Sequence, residues 1–211
     1  MGVTLMPRYF GIDPGNKGGI CYLEDGIPHT LSLSKREKGV ATPLTDSEIW
    51  SWFSEHLNPS TDFAMIELVS GYMPGEKKVA KDGHMFQVGV APGSVMFDFG
   101  VSYGTLRMAL TALGLTENQS WVAIRPQQWQ KSINVITRGH LPPRRSKYGE
   151  SRNQFKSRLR SLALSLFPSA PDRITLGTCD AILLAMCCRD RFEKVSTADR
   201  SASDDQLSLW E

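Results

Sequence analysis

The chain has 211 residues, a hydrophobic content of 41% and a formal net charge of +2, values that suit one compact domain with its own core. It has no apolar run long enough to span a bilayer and residues 1–10 lack the pattern of a secretory signal, so a cytoplasmic protein is expected. Four cysteines without paired C-x-x-C spacing indicate neither a zinc site nor a disulfide framework, and reduced, buried thiols are expected.

The beginning of the chain predicts three antiparallel strands. An apolar run ends at Asp13 and leads into a glycine-rich turn, residues 14–19. Two further short runs, 19–23 and 28–33, are joined by Asp25-Gly26, a dipeptide typical of tight hairpins.

A helix, a fourth strand and a loop follow. Thr45 or Asp46 can cap the helix. Its apolar face is expected to carry four side chains at helical spacing: Ile49, Trp50, Phe53 and Leu57. Residues 63–67 predict an apolar strand that ends in Glu67. Residues 70–93 are rich in Gly, Lys and Pro without periodicity, which predicts a long mobile loop beside a strand end.

The second half of the chain is mainly helical. Gly100 and Gly104 lie four residues apart in a helix predicted over 94–113, and they leave a smooth stripe against which another backbone can pack. The elements predicted after it are a fifth strand over 121–124, a short helix from Pro126 to Ile133, and helices over 151–167 and 177–192. This order predicts an α/β domain with a mixed sheet over 1–193 and a flexible tail over 194–211.

Basic charge is concentrated in one stretch of the chain. Residues 125–160 contain ten Lys and Arg against one acidic residue, whereas acids outnumber bases on both sides. A solvated helix or loop face would have the same composition, but a phosphate-binding surface is favoured. Its candidate residues are Arg138, Arg144, Arg145, Lys147, Arg152, Lys156, Arg158 and Arg160.

Three carboxylates lie at the ends of predicted elements. Asp13 and Glu67 each end an apolar strand, and Asp180 lies on an otherwise apolar helix where an unpaired charge is costly to bury. Each has an ordinary structural alternative, namely a turn cap, a surface ion pair and a helix N-terminal acid. Together they predict a Mg²⁺ or Mn²⁺ site, because carboxylate oxygens suit these ions and clustered acids otherwise repel one another.

Six short pieces of sequence occur in an order typical of one family. They are Phe10-Gly-Ile-Asp-Pro-Gly15, Met65-Ile-Glu67, Phe97-Asp-Phe-Gly-Val-Ser-Tyr-Gly104, Arg125-Pro-Gln-Gln-Trp129, Lys156 with Leu166-Phe-Pro168, and Cys179-Asp-Ala-Ile-Leu-Leu-Ala185. The ordered set resembles the RuvC-like Holliday-junction resolvases of the phage and prophage type, within the ribonuclease-H-like superfamily. The first piece alone is weak evidence for this family, since sugar kinases and related ATPases share a similar opening.

The resemblance implies a ribonuclease-H-like mixed five-stranded sheet flanked by helices, with Asp13, Glu67 and Asp180 as ligands of two magnesium ions. Such ions, about 3.5–4 Å apart, activate a water for in-line attack on a phosphodiester and stabilise the leaving 3′ oxygen. Lys156 is implied to contact the scissile phosphate or stabilise charge, unless it belongs to the basic surface alone. The implied protein is a homodimer, with Gly100 and Gly104 at its interface, that cuts four-way junctions or other branched DNA in a bacterial host cell.

One departure from the family concerns the fourth metal ligand. The family places another acid or a histidine three to five residues before the aspartate that matches Asp180, but this chain has Thr175, Leu176 and Gly177 there. Asp172 is the nearest upstream acid and is a candidate ligand, although its context after a proline fits a turn equally well. A DNA-structure-binding protein with weakened or lost cleavage is therefore the alternative function.

A second departure is the length of the loop after Glu67. It carries aromatic and basic side chains: Tyr72, Lys77, Lys78, Lys81 and Phe86. This combination predicts stacking on bases at an opened junction centre while the lysines hold phosphates. Packing of the two aromatic rings onto the domain is an equally open alternative.

The last residues contain a separate motif. Gln206-Leu-Ser-Leu-Trp210 resembles the short peptide by which bacterial proteins dock into the DNA polymerase sliding clamp. Gln206 would mark the motif, and Leu207, Leu209 and Trp210 would fill an apolar pocket. Packing of the tail on its own domain or on a partner is the alternative.

Overall fold

A computed structural model describes residues 6–15, 17–37, 39–68, 76–79, 85–88, 93–134 and 152–198. The strands in these ranges are β1 (Tyr9–Asp13), β2 (Gly19–Glu24), β3 (Ile27–Ser32), β4 (Ser34–Glu37), β5 (Val40–Pro43), β6 (Phe63–Glu67), β7 (Glu76–Val79), β8 (Met85–Val88) and β9 (Trp121–Ile124). The helices are α1 (Asp46–His56), α2 (Gly93–Ala112), α3 (Pro126–Ser132), α4 (Arg152–Leu166) and α5 (Cys179–Ala198).

Five strands form the central sheet in the order β3-β2-β1-β6-β9. The first three strands pair antiparallel, as their sequences predicted, and β6 and β9 run parallel to β1. Asp25 and Gly26 both have positive φ, 51° and 76°, as the tight hairpin between β2 and β3 requires. The predicted mixed five-stranded sheet flanked by helices is confirmed.

Side chains alternate between the two faces of the sheet and form two cores. Phe10, Ile12, Ala64 and Ile66 pack with α1 and α2 on one face. Met65, on the other face, packs with α3, α4 and α5. Because both faces are covered, β1 is buried along its whole length and reads as a continuous apolar run until Asp13.

Helix α5 crosses β1 without an intervening side chain. A Cβ atom on Gly11 would lie under 3.0 Å from the carbonyl oxygen of Ala181 and from the backbone nitrogen of Ala185. Glycine is therefore required at position 11 by the closeness of the two backbones. The approach brings the first turn of α5 beside the end of β1.

Several expectations need correction. In α1, Trp50 is 44% exposed, and Trp52 packs against the core instead, because positions 49, 52, 53 and 56 form the inward stripe. Residues 70–93, predicted as a loop, include β7 and β8, which pair as a hairpin. The hairpin of β4 and β5 was not predicted. Helix α5 continues to Ala198, beyond the predicted end at 192 and into the segment expected to be disordered.

Two expectations about the whole chain concern thiols and membranes. All four cysteines are free and buried, which confirms the prediction of reduced, buried thiols. Among the described residues, no helix has the length and apolarity needed to cross a membrane.

Candidate functional site

Strand geometry brings two of the predicted carboxylates together. β1 and β6 are parallel neighbours, with Ile12 opposite Ile66, so Asp13 and Glu67 follow at the same edge of the sheet. Asp13 and Glu67 lie two positions beyond the paired residues Gly11 and Met65. Because side chains alternate along a strand, both acids point to the same face as Met65, the face covered by α5. The carboxyl ends of parallel strands are a common location for ligand sites in α/β proteins.

The third carboxylate, Asp180, lies in the first turn of α5. The start of this helix is stabilised by two threonines. The Thr175 hydroxyl oxygen accepts from the Thr178 N–H at 3.1 Å, and the Thr178 hydroxyl oxygen accepts from the Thr175 N–H at 3.0 Å. Because α5 lies directly on β1 at Gly11, the helix start reaches the sheet edge that carries Asp13.

Lys156 of α4 extends between two of these carboxylates. Its ammonium donates to Asp180 Oδ2 and lies 3.5 Å from Asp13 Oδ2. The second oxygen of each aspartate also has a donor, the Gly15 N–H for Asp13 and the Cys179 thiol for Asp180, each at 3.2 Å. Asp13 and Asp180 are only 8% and 5% exposed. The two aspartates are thus buried and share one cation.

Glu67 is held from a different direction. The indole Nε1 of Trp129 donates to Glu67 Oε2 at 2.8 Å. Trp129 is fully buried in the short helix α3, whose start is favoured by Pro126 at its first position and by the Gln128 side-chain oxygen, which accepts from the Arg125 N–H at 3.1 Å.

Burial and mutual repulsion raise the pKa values of Asp13 and Glu67. Burial is the main cause for Asp13, with Asp180 adding to it and Lys156 opposing it, so the pKa of Asp13 lies above its ordinary value. Burial and the nearby Asp13 raise the pKa of Glu67 to about 8. Burial disfavours the charge of Lys156, but Asp13 and Asp180 outweigh it and raise the pKa of the lysine. The cluster therefore has a surplus of negative charge that one ammonium compensates in part.

The donor chemistry of this cluster fits a hard divalent cation. Its three acids offer oxygen ligands of the kind that Mg²⁺ and Mn²⁺ prefer, in a buried position where a second positive charge would relieve repulsion. Within the described ranges, however, no three acidic, histidine or cysteine side chains stand close enough to ligate one ion together. Lys156 lies where it neutralises Asp13 and Asp180, so the acids are arranged around an ammonium.

The candidate fourth ligand lies elsewhere. Asp172 Oδ2 accepts from the Thr30 N–H at 2.7 Å, and Thr30 belongs to β3, two strands away from β1. The described contacts of Asp172 thus attach its loop to the edge of the sheet and do not join it to Asp13. Of the three positions 175–177 at which the resemblance implies a ligand, Gly177 is closely packed: a Cβ there would lie under 3.0 Å from the Lys17 carbonyl oxygen. A ligand side chain at 177 is therefore incompatible with this packing.

The predicted DNA-binding residues are described to different extents. Arg158 stacks over the Phe155 ring at 5.0 Å, and Arg160 Nε donates to the Ile174 carbonyl at 2.9 Å, so both take part in packing around α4. For Arg152, Lys77, Lys78 and Phe86 the structure describes the backbone alone, in α4, β7 and β8. The remaining DNA-binding candidates lie outside the described residues: Tyr72, Lys81, Arg138, Arg144, Arg145 and Lys147. The residues of the clamp motif also lie outside them: Gln206, Leu207, Leu209 and Trp210.

Comparisons with known proteins include a likeness to a solved structure. The chain is similar to a solved structure described as T. thermophilus RuvC in complex with Holliday junction substrate, over 87% of this chain and 94% of that chain, with 12% identity and a TM-score of 0.45. No protein-family model matches the chain, and no curated protein sequence matches it. The likeness concerns the fold, and the chemistry of this site depends on the side chains of this chain.

Sequence reasoning missed two contributors to the site. Trp129 was noted as part of a motif, but its indole contact with Glu67 was not predicted, and neither was the Cys179 thiol donating to Asp180. The contact between Trp129 and Glu67 had a signal in the sequence. A proline at the start of a short helix directly after β9 fixes the helix beside the sheet edge, and a large buried ring with one donor near an acid suggests the pairing.

Proposed function

We propose that this protein is a metal-dependent endonuclease that cuts Holliday junctions or other branched DNA during phage or bacterial recombination, replication or repair. The observation that carries the proposal is the convergence of Asp13, Glu67 and Asp180 from three separate elements on one edge of the sheet. The two aspartates are buried beside Lys156, and Glu67 is partly buried. Acids with raised pKa values, such as Asp13 and Glu67, are typical of catalytic or metal centres.

Asp13, Glu67 and Asp180 would hold two ions of Mg²⁺ or Mn²⁺ between them, because in the described part of the chain no three such side chains stand close enough to share one ion. A bound divalent cation would activate a water for attack on the phosphodiester and stabilise the leaving oxygen. The protein orients its ligands for this task. The Gly15 N–H fixes one oxygen of Asp13 and the Cys179 thiol fixes one oxygen of Asp180, which leaves the Oδ2 atoms facing the shared space.

Lys156 would have two partners in turn. Without a divalent cation its ammonium neutralises Asp13 and Asp180. Once a divalent cation neutralises the two carboxylates, the ammonium would be available to bind the scissile phosphate. The lysine thus compensates charge in the metal-free state and binds phosphate in the DNA complex.

DNA would be bound by the basic stretch around α4 and by the segment after Glu67. The proposed phosphate contacts are Lys77, Lys78, Lys81, Arg144, Arg145, Lys147, Arg152 and Lys156, and the proposed stacking rings are Tyr72 and Phe86. Ten basic residues against one acid in 125–160 support the electrostatic part of this proposal.

The paired cuts of a two-fold symmetric junction call for two active sites, and we propose a homodimer formed through α2. Phe97, Val101 and Met108 are 71%, 49% and 66% exposed. Gly100 and Gly104 lie on the same side of the helix, and a Cβ on either would meet nothing within 4 Å. This stripe of exposed apolar and small residues is a surface that a second copy would cover.

The direct test is cleavage of a labelled four-way junction with Mg²⁺ or Mn²⁺, comparing the wild type with Asp13→Asn. Metal-dependent product that disappears in Asp13→Asn supports the nuclease. Junction binding with no metal-dependent, Asp13-dependent product instead supports the alternative, a DNA-structure-binding protein. That alternative is favoured by one observation, the lack of an acid or histidine at positions 175–177.

A separate proposal concerns the tail. Gln206, Leu207, Leu209 and Trp210 would dock into the bacterial sliding clamp. Deletion of 206–211 is expected to abolish retention by immobilised clamp while junction cutting persists. Unchanged retention by the clamp would contradict the proposal.

A further inference from the structure

Two tryptophans of the core differ in what their indole nitrogens contact. Trp129 and Trp121 are 0% and 1% exposed. Trp129 Nε1 donates to Glu67 Oε2 at 2.8 Å, whereas Trp121 Nε1 has no hydrogen-bond partner among the described residues. Burial alone therefore does not require a partner for an indole in this protein, and the contact of Trp129 with an acid of the candidate site is a specific feature.

The backbone of Trp129 is held by the helix that carries Asp180. The Trp129 carbonyl accepts from the Ser132 hydroxyl at 2.8 Å and from the Cys187 thiol of α5 at 3.7 Å. One residue thus connects Glu67 on β6 with α5. A shift of either element would change the distance between the two carboxylates.

We infer that Trp129 is a positioning residue, which fixes the Glu67 side chain so that Oε1 is presented to a divalent cation while Oε2 is held by the indole. The inference rests on the proposed function. A neutral donor suits this task, because it orients a carboxylate without contributing a positive charge that would compete with the cation. Lys156, by contrast, neutralises the aspartates it contacts.

The test compares two tryptophan-to-phenylalanine variants. Trp129→Phe removes the donor to Glu67 and keeps most of the ring volume. Trp121→Phe removes an equally buried indole nitrogen that has no hydrogen-bond partner among the described residues. Mn²⁺ binding is measured by calorimetry on the full chain, and stability by thermal unfolding. Loss of an outer-shell partner typically costs about 10–100-fold in metal affinity. We expect about tenfold weaker Mn²⁺ binding in Trp129→Phe and wild-type affinity in Trp121→Phe.

A second measurement needs no core substitution. The chain has five tryptophans, and each indole N–H is expected to give one signal in a ¹⁵N-correlated spectrum. On titration with Mg²⁺, the Trp129 signal is expected to shift while the Trp121 signal stays in place, and Glu67→Gln should reduce the shift. This experiment remains informative if Trp129→Phe fails to fold.

The outcomes separate the inference from the function on which it rests. Wild-type protein that neither binds Mn²⁺ nor cuts a junction would refute the proposed function, and the inference with it. Wild-type protein that does both, with equal Mn²⁺ affinity in the two tryptophan variants or an unmoved Trp129 signal at saturating Mg²⁺, would refute the positioning role alone.

Discussion

Gly11 on β1 and Ala181 on α5 face each other with no room for a side chain between them: a Cβ on Gly11 would lie under 3.0 Å from the Ala181 carbonyl oxygen. The neighbouring residue on α5 is Asp180, and the strand that contains Gly11 ends at Asp13. The packing of one glycine against one carbonyl therefore sets the separation of two acids of the site.

Replacing Gly11 with alanine should be strongly destabilising. The added methyl meets backbone atoms of α5 that cannot rotate away, so the helix must move off the sheet. We expect the free energy of unfolding, measured with urea, to fall by about 3 kcal/mol or more. Gly93→Ala is the control, since its methyl would meet nothing within 4 Å. Equal stability of the two variants would contradict this account of the packing.

Stability of the metal-free protein should depend on pH through Glu67. The folded state holds the Glu67 proton up to a pKa of about 8, whereas the ordinary value is 4.5. Between these values the folded state binds more protons than the unfolded chain, so the free energy of unfolding falls as pH rises, by up to about 1.4 kcal/mol per pH unit. Urea titrations across this window measure the slope.

The Glu67→Gln variant should lose the part of the pH dependence of the free energy of unfolding that is due to Glu67. The Glu55→Gln variant, at an exposed position on α1, should keep it. Saturating Mg²⁺ is expected to flatten the slope in the wild type, because the cation favours the ionised carboxylate. The same slope in both variants would show that Glu67 is not the group responsible.

Lys156→Met should make the protein depend more strongly on divalent cations. Removing the ammonium leaves Asp13 and Asp180 buried without their shared positive partner, which should cost about 2 kcal/mol at neutral pH in the absence of metal. Saturating Mg²⁺ should then raise the Tm of this variant more than that of the wild type. Lys131→Met, at an exposed position of α3, serves as the control. An equal Mg²⁺ response in all three proteins would exclude competition between Lys156 and the cation.

The exposed stripe on α2 predicts an effect on oligomeric state. Val101→Glu places a charge at the centre of the proposed interface and should convert a dimer to a monomer in light scattering after gel filtration. Leu164→Glu, at an exposed apolar position on α4, should leave the mass unchanged. A wild-type protein that is monomeric at high concentration would contradict the proposed interface.

The sequence was sufficient to predict the central sheet and the convergence of its acids. Strand parity and the apolar runs before Asp13 and Glu67 are local signals that tertiary packing reinforces. The contacts of individual side chains were harder to predict from the sequence. Trp50 and Trp52 both match an amphipathic helix within one turn, and the choice between them depends on the angle at which α1 meets the sheet. The attachment of Asp172 to Thr30 joins residues 142 positions apart, which no local pattern encodes.

The contact between Gly177 and the Lys17 carbonyl limits the mutational routes open to this site. A single substitution that introduces an acid at position 177 would meet the backbone of the turn after β1, so it would lose stability before it could add a ligand. A carboxylate at position 177 would therefore require a compensating change in that turn. The turn after β1 thus determines whether position 177 can carry a ligand.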